Sequence, residues 1–346
     1  MAWTINNGKL YFNTKLYTGN GGTNAITGVG FQPDWTWIKG RSVAYSNTVF
    51  DVIRGATKRI ETNTSGAEST LSTGLTTWGT DGFTLGSSAA VNENSATFAS
   101  WNWKAGTSFT NDASGTGIGT IDSTGSFNNT AGFSIVSYTG TGSAGTIKHG
   151  LNSVPKMIII KARSAVKDWT VYHNSISAEN YLELNQTIAS TDSASTFNDT
   201  VPTSSVFSVG TNGQTNGSST TYIAYCFAEK QGYSKFGSYT GNGNADGTFI
   251  YTGFSPAFVM VKRTDSANSW NIKDNRRNNA STSFNINPRN ATLLPNDSAA
   301  DQDANALDFL SNGFKNRSTG NDVNNASGSY IYMAFAENPF TSSTGT

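Results

Sequence analysis

The sequence predicts an all-β fold in which three diverged copies of one unit follow each other along the chain, with little helix. Two observations lead to this prediction. Gly, Ser, Thr and Asn, which favour turns and polar strand faces, are abundant, whereas only 13% of the residues are charged. In addition, several sequence signals recur three times in the same order within 346 residues. We therefore expect three tandem repeats that resemble β-sandwiches or jelly rolls.

The repeated signals are strand ends, turns and aromatic runs. Each copy begins with a strand that ends in Tyr-Thr-Gly, continues through a proline that opens an apolar run closed by lysine, and ends on an aromatic strand. The first signal lies at residues 17–19, 138–140 and 239–241, the prolines are Pro33, Pro155 and Pro256, and the closing strands are 98–103, 222–227 and 330–335. For the Tyr-Thr-Gly signals and the prolines, the offsets between copies agree within a residue, which indicates duplication of one unit.

The second copy shows most clearly how its strands are buried. Large residues alternate between the two faces of the closing strand 222–227, with the period of two that is typical of a strand. The run 157–160 is apolar on both faces, so we expect a central strand covered on both sides. Cys226 lies in an apolar stretch and is the chain's one cysteine, so a buried thiol is expected and an internal disulfide is excluded.

The repeat signals also set the expected boundaries. These are an N-terminal extension or attachment strand at 1–14, a first repeat at 15–105, a connector rich in Gly, Ser and Thr at 106–131, a second repeat at 132–231 and a third at 232–346. One helix of two or three turns is expected near residues 299–310, where Ala300, Ala304, Leu307 and Leu310 follow helical spacing.

Charge and hydropathy exclude several classes of partner. Lys and Arg together number 23 and so do Asp and Glu, and no basic run exceeds two residues, so nucleic acid is not expected to bind. No apolar stretch approaches the 18 residues of a membrane span, and the N-terminus lacks a secretory pattern. We expect synthesis in the cytosol and no membrane insertion.

No motif for catalysis, metal binding or cofactor binding is found. His149 and His173 have no ligand-type neighbours at metal-binding spacing, and His173 is expected on an exposed strand face. The chain is therefore predicted not to be an enzyme, with no catalytic residue, no metal and no cofactor. A glycan hydrolase stays an alternative, because Asp168, Asp265 and Asp274 lie near strand ends and a fold can bring carboxylates together.

Aromatic residues are the remaining candidates for binding. Six tryptophans fall at repeat positions and are predicted to form core: Trp35, Trp37, Trp101, Trp103, Trp169 and Trp270. Trp78 lies in a turn-like segment without a counterpart in the other copies. It is the candidate glycan-binding residue, the alternative being a residue at the edge of a core.

Several strings, taken together, resemble a broad family of virion structural proteins of tailed bacteriophages, mainly marine phages. These strings lie at 17–22, 30–34, 50–56, 81–86, 222–229, 232–243 and 330–337. Members of that family look like tail-fibre-like or particle-surface proteins. The family brings no active site that could be placed on residues of this chain.

The resemblance implies a non-enzymatic virion protein on the particle surface, synthesised in the host bacterial cytoplasm. Its expected partners are other tail or capsid proteins and copies of the same chain in a homo-oligomer. Host adsorption through a cell-surface glycan is the expected role. A head (capsid) decoration protein without a receptor role is the alternative. A long fibre shaft is not expected, because the residues before the first repeat are too few for a heptad-based coiled coil.

Overall fold

The computed structural model describes residues 5, 7–277 and 287–339, and within these ranges the chain folds into antiparallel β-sheets. The α-helices of this part are four single turns of four residues each. The all-β prediction is confirmed. None of the described helices is long and apolar enough to span a bilayer.

In the part of the first unit that the structure describes, the chain forms a 3₁₀ helix, nine strands and one short helix. These are the 3₁₀ helix Gly8–Leu10, β1 (Phe12–Thr18), β2 (Asn24–Thr27), β3 (Trp35–Gly40), β4 (Thr48–Asp51), β5 (Lys58–Glu61), β6 (Ser69–Thr70), β7 (Leu75–Gly79), β8 (Gly82–Leu85), α1 (Ala89–Asn92) and β9 (Thr97–Trp103).

The second unit contains ten strands and two short helices. These are β10 (Thr107–Asn111), α2 (Ala113–Thr116), β11 (Ser123–Asn128), β12 (Phe133–Thr139), β13 (Gly145–Lys148), β14 (Pro155–Ala162), β15 (Thr170–His173), β16 (Asn180–Glu183), β17 (Thr191–Asp192), α3 (Ala194–Phe197), β18 (Val206–Val209) and β19 (Thr221–Ala228). Strands β10 and β11 lie in the segment predicted as a connector and extend the sheet of this unit.

The described residues of the third unit form eight strands and one short helix. These are β20 (Ser234–Thr240), β21 (Phe249–Tyr251), β22 (Phe254–Arg263), β23 (Asn271–Asp274), β24 (Arg289–Thr292), β25 (Gln302–Leu310), β26 (Gly313–Asn316), α4 (Asn321–Asn324) and β27 (Ser329–Pro339).

The three units share one strand order. The inner sheet of each unit contains four strands in the same order. A long strand pairs with the closing strand, the closing strand with the proline-led strand, and the proline-led strand with a fourth strand: β1-β9-β3-β4, β12-β19-β14-β15 and β20-β27-β22-β23. An outer sheet covers it: β2-β8-β7, β13-β18 and β21-β26-β25-β24. Each pair of sheets encloses an apolar core of its own.

The inner sheets of all three units also bury a second, shared core on their other face. This shared core contains the six tryptophans predicted as core, each at most 1% exposed. Strand β14 shows the division: Met157 and Ile159 face the shared core, whereas Ile158 and Ile160 face the core of their own unit. The predicted strand covered on both sides is confirmed, and so is the burial of Cys226.

Three aromatic rings meet in the shared core, one from the closing strand of each unit. The ring centroids of Trp103 and Phe227 lie 6.4 Å apart, those of Trp103 and Phe335 5.7 Å, and those of Phe227 and Phe335 6.1 Å. Edge-to-face contact at these separations is favourable for aromatic rings. The three closing strands therefore converge on one point.

Hydrogen bonds close the units into a cycle. The lysine that ends each apolar run donates from Nζ to a backbone carbonyl of a neighbouring unit: Lys39 to Ser298, Lys161 to Ser65 and Lys262 to Thr187, at 2.7, 3.1 and 3.1 Å. Thus the first unit binds the third, the second binds the first, and the third binds the second. The recurring lysine of the sequence therefore lies at each interface between neighbouring units.

A second set of contacts follows the same cycle. Trp169 Nε1 donates to the carbonyl of Glu61 and Trp270 Nε1 to that of Glu183, both at 2.9 Å. The corresponding residue of the first unit is Asn47, which donates from Nδ2 to carbonyls of the third unit. Each contact fixes the start of the fourth inner strand of one unit to the neighbouring unit.

The fourth inner strand of each unit ends on a buried polar residue that faces the next unit. Asp51 accepts a hydrogen bond from Tyr225 Oη at 2.7 Å, and Asp274 accepts one from Trp101 Nε1 at 2.9 Å. The corresponding residue of the second unit is His173, whose Nε2 lies 3.2 Å from the carbonyl oxygen of Tyr332. Because a backbone carbonyl only accepts, this position in the second unit requires a donor.

The two carboxylates are neutralised within their own units. Arg54 and Arg277, three residues after Asp51 and Asp274, form buried ion pairs with them. Burial acts to raise the pKa of the Asp274 carboxyl, but the Arg277 guanidinium and its hydrogen bonds bring that pKa below its ordinary value. The second unit has Ile176 at the place of the arginine. It therefore lacks both members of this ion pair, the aspartate and the arginine.

The Tyr-Thr-Gly signal is explained by a hydrogen bond and a close backbone contact that occur in each unit. The tyrosine hydroxyl donates to the carbonyl just before a fully buried asparagine: Tyr17 to Val91, Tyr138 to Thr215 and Tyr239 to Val323. The glycine lies against a backbone carbonyl, and a Cβ at Gly19, Gly140 or Gly241 would approach that oxygen within 2.4 Å. The Tyr-Thr-Gly residues therefore recur because the packing inside each unit requires them.

Two expectations from the sequence are wrong. His173 is fully buried and not on an exposed face, because its strand faces the shared core and not solvent. The predicted helix at 299–310 is strand β25, in which Leu307 and Phe309 are buried and Asp308 is less so. The helical spacing of the apolar residues is overridden by pairing with β24 and β26.

Substitution of His173 by Asp should destabilise the fold by about 3 kcal/mol or more, because the new carboxylate would be buried without a cation and opposite a carbonyl. The double substitution His173→Asp, Ile176→Arg should recover part of this loss by recreating the ion pair of the other units. The single Ile176→Arg variant completes the cycle, and denaturant unfolding measures all four proteins. Additive effects of the two substitutions would contradict the coupling.

Acid should destabilise the fold through both histidines. His149 and His173 each accept a backbone N–H at Nδ1 and contact a carbonyl through Nε2, so each is neutral with its proton on Nε2. Burial lowers the pKa of each imidazole from 6.5 to about 4, against the smaller opposing effect of that carbonyl contact. Because the unfolded state binds protons first, stability should fall as the pH drops from 6.5 to 4, by about 3 kcal/mol per histidine.

Unfolding free energies of the wild type and of His149→Gln and His173→Gln, measured between pH 7 and pH 4, test this effect. Carboxylates titrate equally in all three proteins, so the difference between the curves isolates each histidine. Parallel curves for the wild type and both variants would refute the proposed protonation.

Candidate functional site

The third unit exposes two aromatic side chains on the edge of its outer sheet. Phe249 is 44% exposed and Tyr251 is 62% exposed, while Ile250 between them is buried in the core of the unit. Since side chains alternate along a strand, both rings lie on the solvent face of β21. We call Phe249 and Tyr251 the aromatic pair.

The corresponding strands of the other units show that the fold does not need aromatic residues there. In every unit the buried isoleucine of this strand lies opposite a phenylalanine: Ile26 opposite Phe83, Ile147 opposite Phe207 and Ile250 opposite Phe314. In that register the aromatic pair corresponds to Ala25 and Thr27 in the first unit and to Thr146 and Lys148 in the second. Exposed rings at these positions are specific to the third unit.

The next strand leaves the ring of Tyr251 uncovered. Gly313 lies opposite Tyr251 in the register of β21 and β26. A Cβ at Gly313 would lie 2.1 Å from the carbonyl oxygen of Ile250 and 3.0 Å from the ring of Phe249, so only glycine fits. The glycine therefore keeps the surface beside the aromatic pair flat.

Charged side chains continue the same face beyond Phe249. Lys315 lies opposite Phe249 in the register and binds Asp246 with Nζ and Oδ1 2.6 Å apart. Arg317 forms longer ion pairs, at 3.2 Å with Asp246 and 3.3 Å with Asp308. The hydrogen bond and the charge of Lys315 hold the pKa of Asp246 below its ordinary value. These groups donate and accept hydrogen bonds next to a flat apolar surface.

An open cleft of about 240 Å³ ends this face. It is lined by Asn290, Asp303, Ala304, Asn305, Ala306, Arg317 and Ser318, and we call it the polar cleft. Arg317 belongs both to the cleft and to the ion pairs beside the aromatic pair. The outer sheet of the third unit therefore presents one continuous surface, apolar at one end and polar at the other.

The loop that carries Asp246 is held by the buried asparagine of the third unit. Asn324 Nδ2 donates to the carbonyls of Asn244 and Ser318, and its Oδ1 accepts from the backbone of Asn242. This fixes the residues on both sides of the charged groups before any ligand binds.

Trp78, the residue selected from the sequence, lies elsewhere. It is half-buried on β7 of the first unit and packs against the core of that unit. Its Nε1 is buried and has no hydrogen-bond partner in the described part of the chain. This position matches the edge-of-core alternative more closely than an exposed stacking surface.

The carboxylates considered for hydrolysis have separate partners. Asp274 lies in the shared core, Asp265 accepts a hydrogen bond from Arg263 Nε at 2.7 Å, and Asp168 accepts one from Asn185 Nδ2 at 2.6 Å. Within residues 5, 7–277 and 287–339, no three His, Cys, Asp or Glu side chains are grouped so as to hold a metal ion.

Residues 7–339 match the family model described as a domain of unknown function, DUF7483, so the chain belongs to that family. No curated protein and no solved structure matched the chain.

Proposed function

We propose that the chain is a non-enzymatic structural protein of a bacteriophage virion, displayed on the particle surface as part of a tail appendage. In this role the outer sheet of the third unit binds a cell-surface glycan during host adsorption. The likeness of the sequence to tailed-phage surface proteins supports the location. The aromatic pair is the observation that carries the binding function.

The chemistry of the surface fits a sugar. A pyranose ring has an apolar face that stacks on a flat aromatic side chain, and hydroxyl groups around its rim that form hydrogen bonds. Phe249 and Tyr251 supply the flat apolar area, and Lys315, Asp246 and Arg317 supply donors and acceptors beside it. The nearby carboxylates Asp246 and Asp308 are engaged in ion pairs, which favours binding over acid-base catalysis.

The isolated protein should bind glycans on an array, and the Phe249→Ala and Tyr251→Ala variants should each lose at least about tenfold in affinity, or about 1.4 kcal/mol. Since both rings are exposed, thermal stability should stay within about 0.5 kcal/mol of wild type. Thr27→Ala and Lys148→Ala, at the corresponding positions of the other units, are matched controls and should bind as wild type. Equal binding by all five proteins would exclude the aromatic pair as the site.

The location on the particle is tested separately by cryo-electron microscopy of intact virions. We expect density for this chain on the tail, with the outer sheet of the third unit directed away from the particle. Density distributed over the icosahedral head would replace the adsorption role with capsid decoration.

A further inference from the structure

The polar cleft has an unsatisfied acceptor. Oδ1 of Asn290 is buried and has no hydrogen-bond donor among the described residues, although the backbone carbonyl of the same residue accepts from Lys273 Nζ at 2.8 Å. A buried amide oxygen without a donor is costly, so it is usually paired with water or a ligand. Asn290 lines the cleft, and rotation of its side-chain amide would turn Oδ1 toward a hydroxyl group that enters the cleft.

The size of the cleft limits what enters it. Pockets that enclose drug-sized ligands have volumes of about 300–1,000 Å³. The 240 Å³ of the polar cleft is smaller, which suits one sugar ring and not a chain of rings. Any longer glycan must therefore extend out of the cleft, and the ion pairs of Arg317 with Asp246 and Asp308 connect the cleft with the aromatic pair.

The charges along this surface disfavour an anionic ligand. Its cations are Lys315 and Arg317, and both are already paired with carboxylates. Its anions are Asp246 and Asp308 in those pairs, and Asp303 inside the cleft. Beneath the cleft, the Lys273 ammonium donates to the carbonyls of Asn290 and Ala304, and Asp322 accepts a hydrogen bond from Asn305. Three positive and four negative groups therefore leave one net negative charge. A carboxylate or sulfate group would have to approach Asp303 or displace Asp246.

From these observations we infer that the site takes a neutral oligosaccharide of at least two rings. One ring occupies the polar cleft with a hydroxyl donating to Asn290 Oδ1, and a following ring stacks on the aromatic pair. This inference rests on the proposed glycan-binding function and specifies its ligand class. Asp303 makes the site selective against acidic glycans. The depth of the cleft sets how much the sugar ring inside it adds to the binding free energy.

The test is an array of neutral oligosaccharides printed beside uronic-acid and sulfated oligosaccharides of equal length. Wild type should bind neutral members at least tenfold more tightly than the acidic ones. Asp303→Asn should bind neutral oligosaccharides as tightly as wild type and acidic ones more tightly, so the ratio of the two affinities should fall. Comparable or stronger binding of the acidic members by wild type would overturn the inference.

The cleft is tested with two variants of Asn290. Asn290→Leu should weaken neutral binding about five- to tenfold, whereas Asn290→Asp keeps an oxygen acceptor and should bind neutral sugars within about threefold of wild type. Asn152→Leu, at an exposed position of the second unit, is the matched control and should bind as wild type. Far-ultraviolet circular dichroism and thermal unfolding verify that each variant folds.

The two levels of the proposal fail in distinguishable ways. Absence of binding by wild type to every glycan would refute the proposed function itself. Binding that depends on Phe249 and Tyr251 but is unchanged in Asn290→Leu would refute the role of the cleft and leave the glycan-binding function intact.

Discussion

Contact among Trp103, Phe227 and Phe335 is the constraint on which the rest of the structure depends. Each ring lies on the closing strand of its unit, and the closing strand is an interior strand of the inner sheet, paired on both sides. When the three rings meet, the three inner sheets are forced to face one another and to bury their second face. That second face carries the tryptophans, so a large share of the apolar surface is buried between units and not within them. The cycle of lysine and tryptophan hydrogen bonds then fixes the rotation of each unit about its neighbour.

This arrangement explains which parts of the fold were predictable from the sequence. Strands, turns and the doubly covered strand follow from local periodicity, and the repeat gave their order. The exposure of His173 was predicted wrongly, because the partner of its strand face is another unit and has no local signal. The segment 302–310 was misjudged for a similar reason, since ladder pairing with two other strands outweighs a helical spacing of four apolar residues. Tertiary contacts between distant segments decided both cases.

The candidate site was less predictable than the fold, although a signal for it is present in the sequence. Trp78 was selected because it has no counterpart in the other copies, and the structure places it against the core of the first unit. Phe249 and Tyr251 also have no aromatic counterparts, but this becomes visible only when Ile26, Ile147 and Ile250 are aligned. That alignment requires the pairing with the later phenylalanine of each unit, which the structure supplies. The polar cleft combines residues of β24, β25 and the loop after β26, and no spacing in the sequence predicts it.

The division between inner and outer sheets connects the fold to the proposed function. Inner positions contact a neighbouring unit, so a residue there must suit its neighbour. Asp51 and Asp274 face hydrogen-bond donors, whereas His173 faces the carbonyl of Tyr332. The outer sheets cover the cores of their own units, and among the described residues they range from two strands in the second unit to four in the third. One unit can therefore acquire exposed rings and a polar cleft without disturbing the other two. All three units belong to one chain, so their sequences can differ and the cycle of units can present a single binding surface. A homotrimer of identical units would present the same surface three times.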